Sequence, residues 1–278
     1  MTSGVALAEQ SLVPRDLSPP IVVFCKSHSG SRLLVEMLQR AGIFMGAHCS
    51  GSGDSWDLAP LLRYLVIRHY PDYRAALAGE DELLAPMIAA GFARHLDGYD
   101  RKDGPPWGWK LCESAYAMPV IRALFPQARY VHLLRDGRDV AFSNHTGPVD
   151  AYWRKIFFGH ADIDSWHGMS LDGTGYRRRP HLFNAQHWLA SVSLGHRTAL
   201  ELGVHCLELR YEDLIQDPRA SAARLFAFLG LGAREITPPP IHLTSAGRFR
   251  RQPRRKVRDV LALIAPLQQA LGYPADEA

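Results

Sequence analysis

The chain has 278 residues, 47% of them hydrophobic, and a formal net charge of +4. This supplies enough apolar surface for one large α/β domain. It falls short of the cationic excess of a dedicated nucleic-acid binder, so any anion preference must come from local clusters. Cys25, Cys49, Cys112 and Cys206 form no CxxC pair and exclude a disulfide scaffold, and the 13 histidines pair with no carboxylate or cysteine at metal-ligand spacing, so no metal is expected.

Residues 1–19 are expected to be a flexible arm and residues 20–278 a single domain. Glu9, Arg15, Asp16 and three prolines stand where a signal peptide needs an apolar core. No later stretch approaches the length of a membrane span, and a cytoplasmic protein is the expectation. Residues 21–25 are a short continuous apolar run, the pattern of a buried parallel strand. Lys26, Ser27, His28, Ser29, Gly30, Ser31 and Arg32 then form a small-residue turn, and Leu33, Leu34, Met37, Leu38 and Ala41 recur at helical spacing.

A loop that leaves a buried strand and enters a helix aims backbone N–H groups and the positive end of the helix dipole at one point, which suits phosphate or sulfate. Lys26, His28 and Arg32 add cations there. The segment is not an ATP-type phosphate loop, because Cys25 holds the first glycine position and Ser31-Arg32 follows Gly30 where Lys-Ser/Thr is required. Nor is it a hydrolase nucleophile elbow, because Ser27 and Ser31 occupy both glycine positions around Ser29.

Further strands are expected at residues 107–111, 130–134 and 205–209. Helices are expected around Val120, Ile121, Leu124 and Phe125, over residues 188–202 and 220–229, and through Val257, Val260, Leu261, Ile264 and Leu267. This alternation predicts a three-layer α/β fold, a parallel sheet with helices on both faces. Residues 144–180 have no periodicity and are read as an acceptor lid. Arg135 falls at a strand end, where open α/β sheets bind ligands. Ser143 is placed in the first turns of the next helix, with Gly137 allowing the turn and Asp139 positioned to cap.

The run Arg135-Asp136-Gly137-Arg138-Asp139-Val140 with Ser143 resembles the 3'-phosphate motif of the PAPS-dependent sulfotransferases, and residues 26–34 resemble their phosphosulfate loop. The likeness runs in order from Ile21 to Tyr273. It implies a P-loop nucleotide-binding type of fold, bacterial-type, and transfer of a sulfuryl group from 3'-phosphoadenosine 5'-phosphosulfate, PAPS, to a hydroxyl or amine of a carbohydrate or small metabolite. Tyr211, in Tyr211-Glu212-Asp213-Leu214, is similar to a tyrosine near the adenine. The segment 247–251 is similar to a C-terminal loop that reaches donor phosphates through Arg248, Arg250 or Arg251, with Phe249 in place of tryptophan.

The resemblance also assigns Lys26 and His28 to the sulfonate and bridging oxygen, with either as the leaving-group cation, and Lys110 to the same centre. Arg32 and Glu36 match the first loop of heparan-type sulfotransferases, where they line the acceptor cleft, and are equally an i, i+4 ion pair. Relatives carry the general base just after the first helix, at Asp54 or Asp57 here, with His48 and Glu113 as further candidates; Asp57 also reads as a helix N-cap. The rivals are a kinase or other nucleotide-binding enzyme, and a nucleic-acid binder using the basic run from Arg248 to Arg258. In that run only Phe249 offers an aromatic, so no nucleic-acid partner is expected.

Overall fold

Val22 and Phe24 enter one hydrophobic cluster while Ile21, Val23 and Cys25 enter another. Successive residues of a strand point to opposite faces, so this division places apolar layers on both sides of the sheet and explains the unbroken apolar run. The computed structural model describes residues 6–10, 12–14, 16–100, 102–143, 179–232, 234, 236–241 and 246–274. In chain order its elements are β1 (Ile21–Cys25), α1 (Ser31–Arg40), α2 (Ala59–His69), α3 (Arg74–Leu77), α4 (Leu84–His95), β2 (Gly108–Lys110) and α5 (Met118–Leu124). There follow β3 (Arg129–Leu134), α6 (Gly137–Ala141), α7 (Pro180–Leu202), β4 (Cys206–Arg210), α8 (Tyr211–Gln216), α9 (Pro218–Leu229) and α10 (Arg254–Ala270).

The sheet has the order β2-β1-β3-β4 with every neighbouring pair parallel. On one face α2, α4 and α5 pack over Val22, Phe24, Trp109 and Tyr130; on the other α1 and α9 pack over Val23, Val131 and Leu209. A third cluster joins Val140 and Ala141 of α6 to Trp188 and Val192 of α7 and Ile264 of α10. Each fully buried Leu, Val, Ile or Phe contributes about 1.5–3 kcal/mol, so these layers hold the strand ends in place. Ahead of β1, a turn of 3-10 helix, Leu7–Glu9, sets Leu7 into the first cluster at 1% exposure. Among the described residues no helix is long and apolar enough to cross a membrane.

Several expectations for the caps are corrected. Asp57 is not the N-cap of α2: Leu58 holds that position with no side-chain cap bond, and Ser55 Oγ accepts from Leu58 N at 3.4 Å one turn earlier. At α6 the cap is Asp136, whose carboxylate accepts from Arg138 N at 2.9 Å. Gly137 serves close packing instead of a turn, since a Cβ there would lie 2.7 Å from Ile264 Cδ1 and 2.9 Å from Trp188 Cδ2. Ser143 follows α6, and its N–H donates to Val140 O at 3.0 Å. The lid segment lies outside the described residues except for Arg179 and Pro180.

Candidate active site

The carboxyl ends of β1, β2 and β3 open into one cleft of about 770 Å³. Leaving β1, the chain turns through residues 26–29 and enters α1 at Ser31. Gly30, the N-cap, has φ 83° and no side-chain cap, so no side chain competes for the first N–H groups of the helix. Gly30 is fixed twice, because a Cβ there would also meet Tyr211 Cδ2 at 2.2 Å. His28 adopts a left-handed φ of 68°, a conformation that costs a non-glycine residue about 1 kcal/mol or more. Ser27, His28, Gly30, Ser31 and Arg32 all line the cleft. Ser29 Oγ is buried with no hydrogen-bond partner among the described residues.

β3 delivers Arg135 to the opposite wall. Its side chain is nearly buried, Nη1 donates to His28 O at 3.1 Å, and the guanidinium lies 4.3 Å over the Tyr211 ring. The two aspartates of this run have separate tasks. Asp136 holds Arg138 through Nη2 at 2.7 Å and accepts from Gln268 Nε2 at 2.7 Å, closing α6 onto α10. Asp139 accepts from Gly247 N at 2.8 Å and Phe249 N at 3.3 Å, which fixes the turn Arg248–Arg251 beside the cleft. Arg248 lines the cleft and donates to Phe142 O at 3.2 Å. Ser143, the next residue, has a buried Oγ with no partner among the described residues.

β2 brings Lys110 to the same space, 3% exposed, with Nζ donating to Asp54 Oδ1 at 2.7 Å. The loop 50–55 that carries Asp54 is closed on itself. Ser50 Oγ donates to Asp54 Oδ2 at 3.2 Å, Ser52 Oγ bonds to the same oxygen, and Ser55 N donates to Lys110 O at 3.1 Å. Asp54 retains 31% exposure, so its carboxylate has room for one more partner from the cleft. Burial works against the charge of Lys110, but Cys112, Cys25 and Asp54 outweigh it and raise its pKa. Lys26 is held at about 7 by burial, and His28 is lowered to about 4 by partial desolvation and then by Lys26, Arg248, Arg135 and Lys110. At neutral pH the cations lining the cleft are therefore Arg32, Arg63, Lys110, Arg135 and Arg248, together with the neutral imidazole of His28.

The sulfotransferase family model matches residues 19–235, a span that includes the β1 loop, Lys110, Arg135 and Tyr211. The chain belongs to the sulfotransferase family. A comparison with curated protein sequences finds no match. Among solved structures, the sulfotransferase from Alicyclobacillus acidocaldarius is similar with a TM-score of 0.51 at 15% identity, over 92% of this chain and 97% of that one, and shares its fold. The sulfotransferase domain of the Synechococcus PCC 7002 olefin synthase aligns at 17% identity over 90% and 95% of the two chains, with a TM-score of 0.47.

In this sulfotransferase the expected residues separate into two groups. Ser27, His28, Gly30, Ser31, Arg32, Glu36, Asp54, Lys110, Glu113, Arg135, Tyr211 and Arg248 line one cleft; Lys26, Ser29, His48, Asp57, Ser143, Arg250 and Arg251 do not. Lys26 is buried beneath the loop, and its Nζ bonds Ser27 O at 3.0 Å and Ser27 Oγ at 2.8 Å. Asp57 is engaged by His48 at 3.1 Å and Arg94 at 4.0 Å. Arg32 and Glu36 form the i, i+4 pair at 3.5 Å on the rim. Burial raises the pKa of Glu113, which accepts from Arg63 Nε at 3.1 Å. Trp56 and Arg63, also on the cleft wall, carry no motif; Trp56 beside Asp54 and Asp57 is the one available signal.

Proposed function

We propose that the protein transfers a sulfuryl group from PAPS to a hydroxyl or amine of a carbohydrate or small-metabolite acceptor, in the cytoplasm and without a nucleic-acid partner. The observation that carries this reading is the Lys110–Asp54 pair at 2.7 Å, lying in the same cleft as the β1 loop, Arg135, Tyr211 and Arg248. A buried cation and an accessible carboxylate in contact are what sulfuryl transfer requires at the point where an acceptor meets a donor. One group stabilises negative charge and the other accepts a proton.

The residues fit the donor. The N–H groups at the start of α1 and the hydroxyls of Ser27 and Ser31 suit its 5' side. Arg135 and Arg248 suit the 3'-phosphate, and the edge of Tyr211 that lines the cleft suits the base. Asp54 takes the acceptor proton as the acceptor oxygen or nitrogen bonds to sulfur and the bond from sulfur to the 5'-phosphate oxygen breaks. Lys110 stabilises the charge left on that oxygen. His28, whose pKa burial and the neighbouring cations lower, donates or accepts a hydrogen bond there. Thermal shift with 3'-phosphoadenosine 5'-phosphate in the presence of chelator tests the assignment, since a ligand of the native state stabilises in proportion to occupancy. No shift at millimolar nucleotide sinks it.

A further inference from the structure

Beneath the cleft lie two thiols that the proposed chemistry does not use. Cys25 ends β1 and Cys112 opens the turn after β2, each two residues beyond the paired Val23 and Lys110. Their sulfurs are 3.8 Å apart, both cysteines are buried, and Cys112 reaches the cleft wall. Neighbouring strands run about 4.8 Å apart, within the range of Cα separations, about 4.4–6.8 Å, that a disulfide spans. Bringing the sulfurs to a bond of about 2.05 Å requires side-chain rotation and a small movement of the turn. The other two cysteines are only half-buried and have no such neighbour, Cys49 Sγ donating to Met45 O at 3.3 Å.

We infer that Cys25 and Cys112 are a redox-active dithiol that hydrogen peroxide converts to a disulfide at the floor of the cleft. Peroxide is close to water in size and enters along the wall that Cys112 shares with the cleft; bulkier oxidants do not reach sulfurs this buried. The hydrogen bond between the two thiols and the charge of nearby Lys110 favour the thiolate at Cys25, against its burial. The Cys25 sulfur bonds to one peroxide oxygen as the O–O bond breaks, and the departing hydroxide takes a proton from solvent and leaves as water. The Cys112 sulfur then bonds to the resulting sulfenic acid, the S–O bond breaks, and the hydroxyl leaves as a second water with the Cys112 proton. Two thiols and one peroxide give one disulfide and two waters.

The bond couples to the cleft through sequence. Cys25 precedes Lys26 and the anion-binding loop, and Cys112 lies two residues after Lys110, so a closed disulfide draws both segments from their present positions.

Peptide mapping without reductant after brief peroxide treatment is the test, read together with titration of 3'-phosphoadenosine 5'-phosphate before treatment, after it, and after dithiothreitol. The expected result is a linked Cys25–Cys112 peptide while Cys49 and Cys206 still alkylate. Nucleotide affinity falls by roughly tenfold or more and returns on reduction. In Cys112→Ser the linked peptide is lost and dimedone traps a sulfenic acid on Cys25. Absence of the linked peptide, prior oxidation of Cys49 or Cys206, or unchanged nucleotide affinity in the disulfide form overturns the inference. The map needs no nucleotide, so failure of the donor assignment is read separately.

Discussion

The guanidinium of Arg135 lies 4.3 Å above the ring of Tyr211, the first residue of α8, although 76 positions separate them. Contact between a cation and an aromatic face orients the guanidinium plane, whose Nη1 meets His28 O at 3.1 Å and whose Nη2 lies 3.7 Å from Asp139 Oδ2. Arg135→Ala is expected to weaken binding of 3'-phosphoadenosine 5'-phosphate by roughly tenfold or more and to leave adenosine 5'-monophosphate almost unchanged, because only the former carries the 3' group. Isothermal titration of both nucleotides decides this. Equal losses for both would mean that Arg135 supports the fold or the 5' side.

Asp54 and Asp57 are separated by contact. Asp54 touches Lys110 within the cleft, whereas Asp57 is held outside it by His48 and Arg94. Asp54→Asn should lower turnover by about 10² to 10⁴ while nucleotide affinity stays near wild type. Asp57→Asn should leave turnover within a few-fold. Steady-state rates of the two variants test the assignment, and the reverse ranking refutes it.

The two lysines divide in the same way. Lys110→Met should reduce kcat by roughly 10²-fold or more, the scale on which loss of one group stabilising transition-state charge is felt. Lys26→Met, which removes an Nζ bonded to Ser27 O and Oγ, should act mainly on stability. Comparing kcat with the urea midpoint for both variants distinguishes the roles.

Gly30→Ala should destabilise the protein by about 1–3 kcal/mol, since the alanine must adopt φ 83° and its Cβ overlaps the Tyr211 ring. Urea denaturation reads the loss. Pairing it with Tyr211→Ala should recover the part due to overlap and leave the part due to backbone conformation.

His95 is fully buried. Nε2 faces Gly108 O at 3.1 Å and Nδ1 faces Ser55 Oγ at 3.0 Å; a carbonyl only accepts, so Nε2 carries the proton. Burial, only partly offset by Gly108 O and Asp57, lowers its pKa to about 4. The unfolded chain binds this proton near pH 6.5 and the folded protein does not, so the stabilisation is complete above that pH and is lost as pH falls toward 4. Its size is up to about 3 kcal/mol. Urea midpoints measured from pH 7 to 4.5 should fall, and the fall should be smaller in His95→Gln.

Strands were legible where burial on both faces leaves an unbroken apolar run. β1 matches residue for residue, β3 starts one position earlier than expected, and β4 is shifted by one position at both ends. β2 is shorter than its apolar stretch because Trp107 pairs as an isolated bridge with Phe44 and the extended Leu111 leads directly into the 3-10 turn Cys112–Ala115. The start of α7 was hidden because Asn184, Gln186 and His187 are polar yet buried, and Asn184 spends its amide on Ala141 O, breaking the apolar period. Motif reading brought Arg135, Tyr211, Arg248 and Lys110 to the cleft. It could not tell Lys26 from Lys110, since which way a lysine leaves a strand end depends on the turn that follows, nor Asp54 from Asp57, three positions apart in an irregular loop.

His95 joins Ser55 to Gly108 at the core, and the Ser55 N–H meets the Lys110 carbonyl. The spacing between Asp54 and Lys110 is thus set from behind, by groups no acceptor can touch, whereas Trp56, Arg63 and Glu36 stand on the opposite, solvent-facing rim. Under the proposed function the rim is the part that meets the acceptor, and Trp56, exposed and bonded to none of the groups behind it, is the position at which to begin changing that preference.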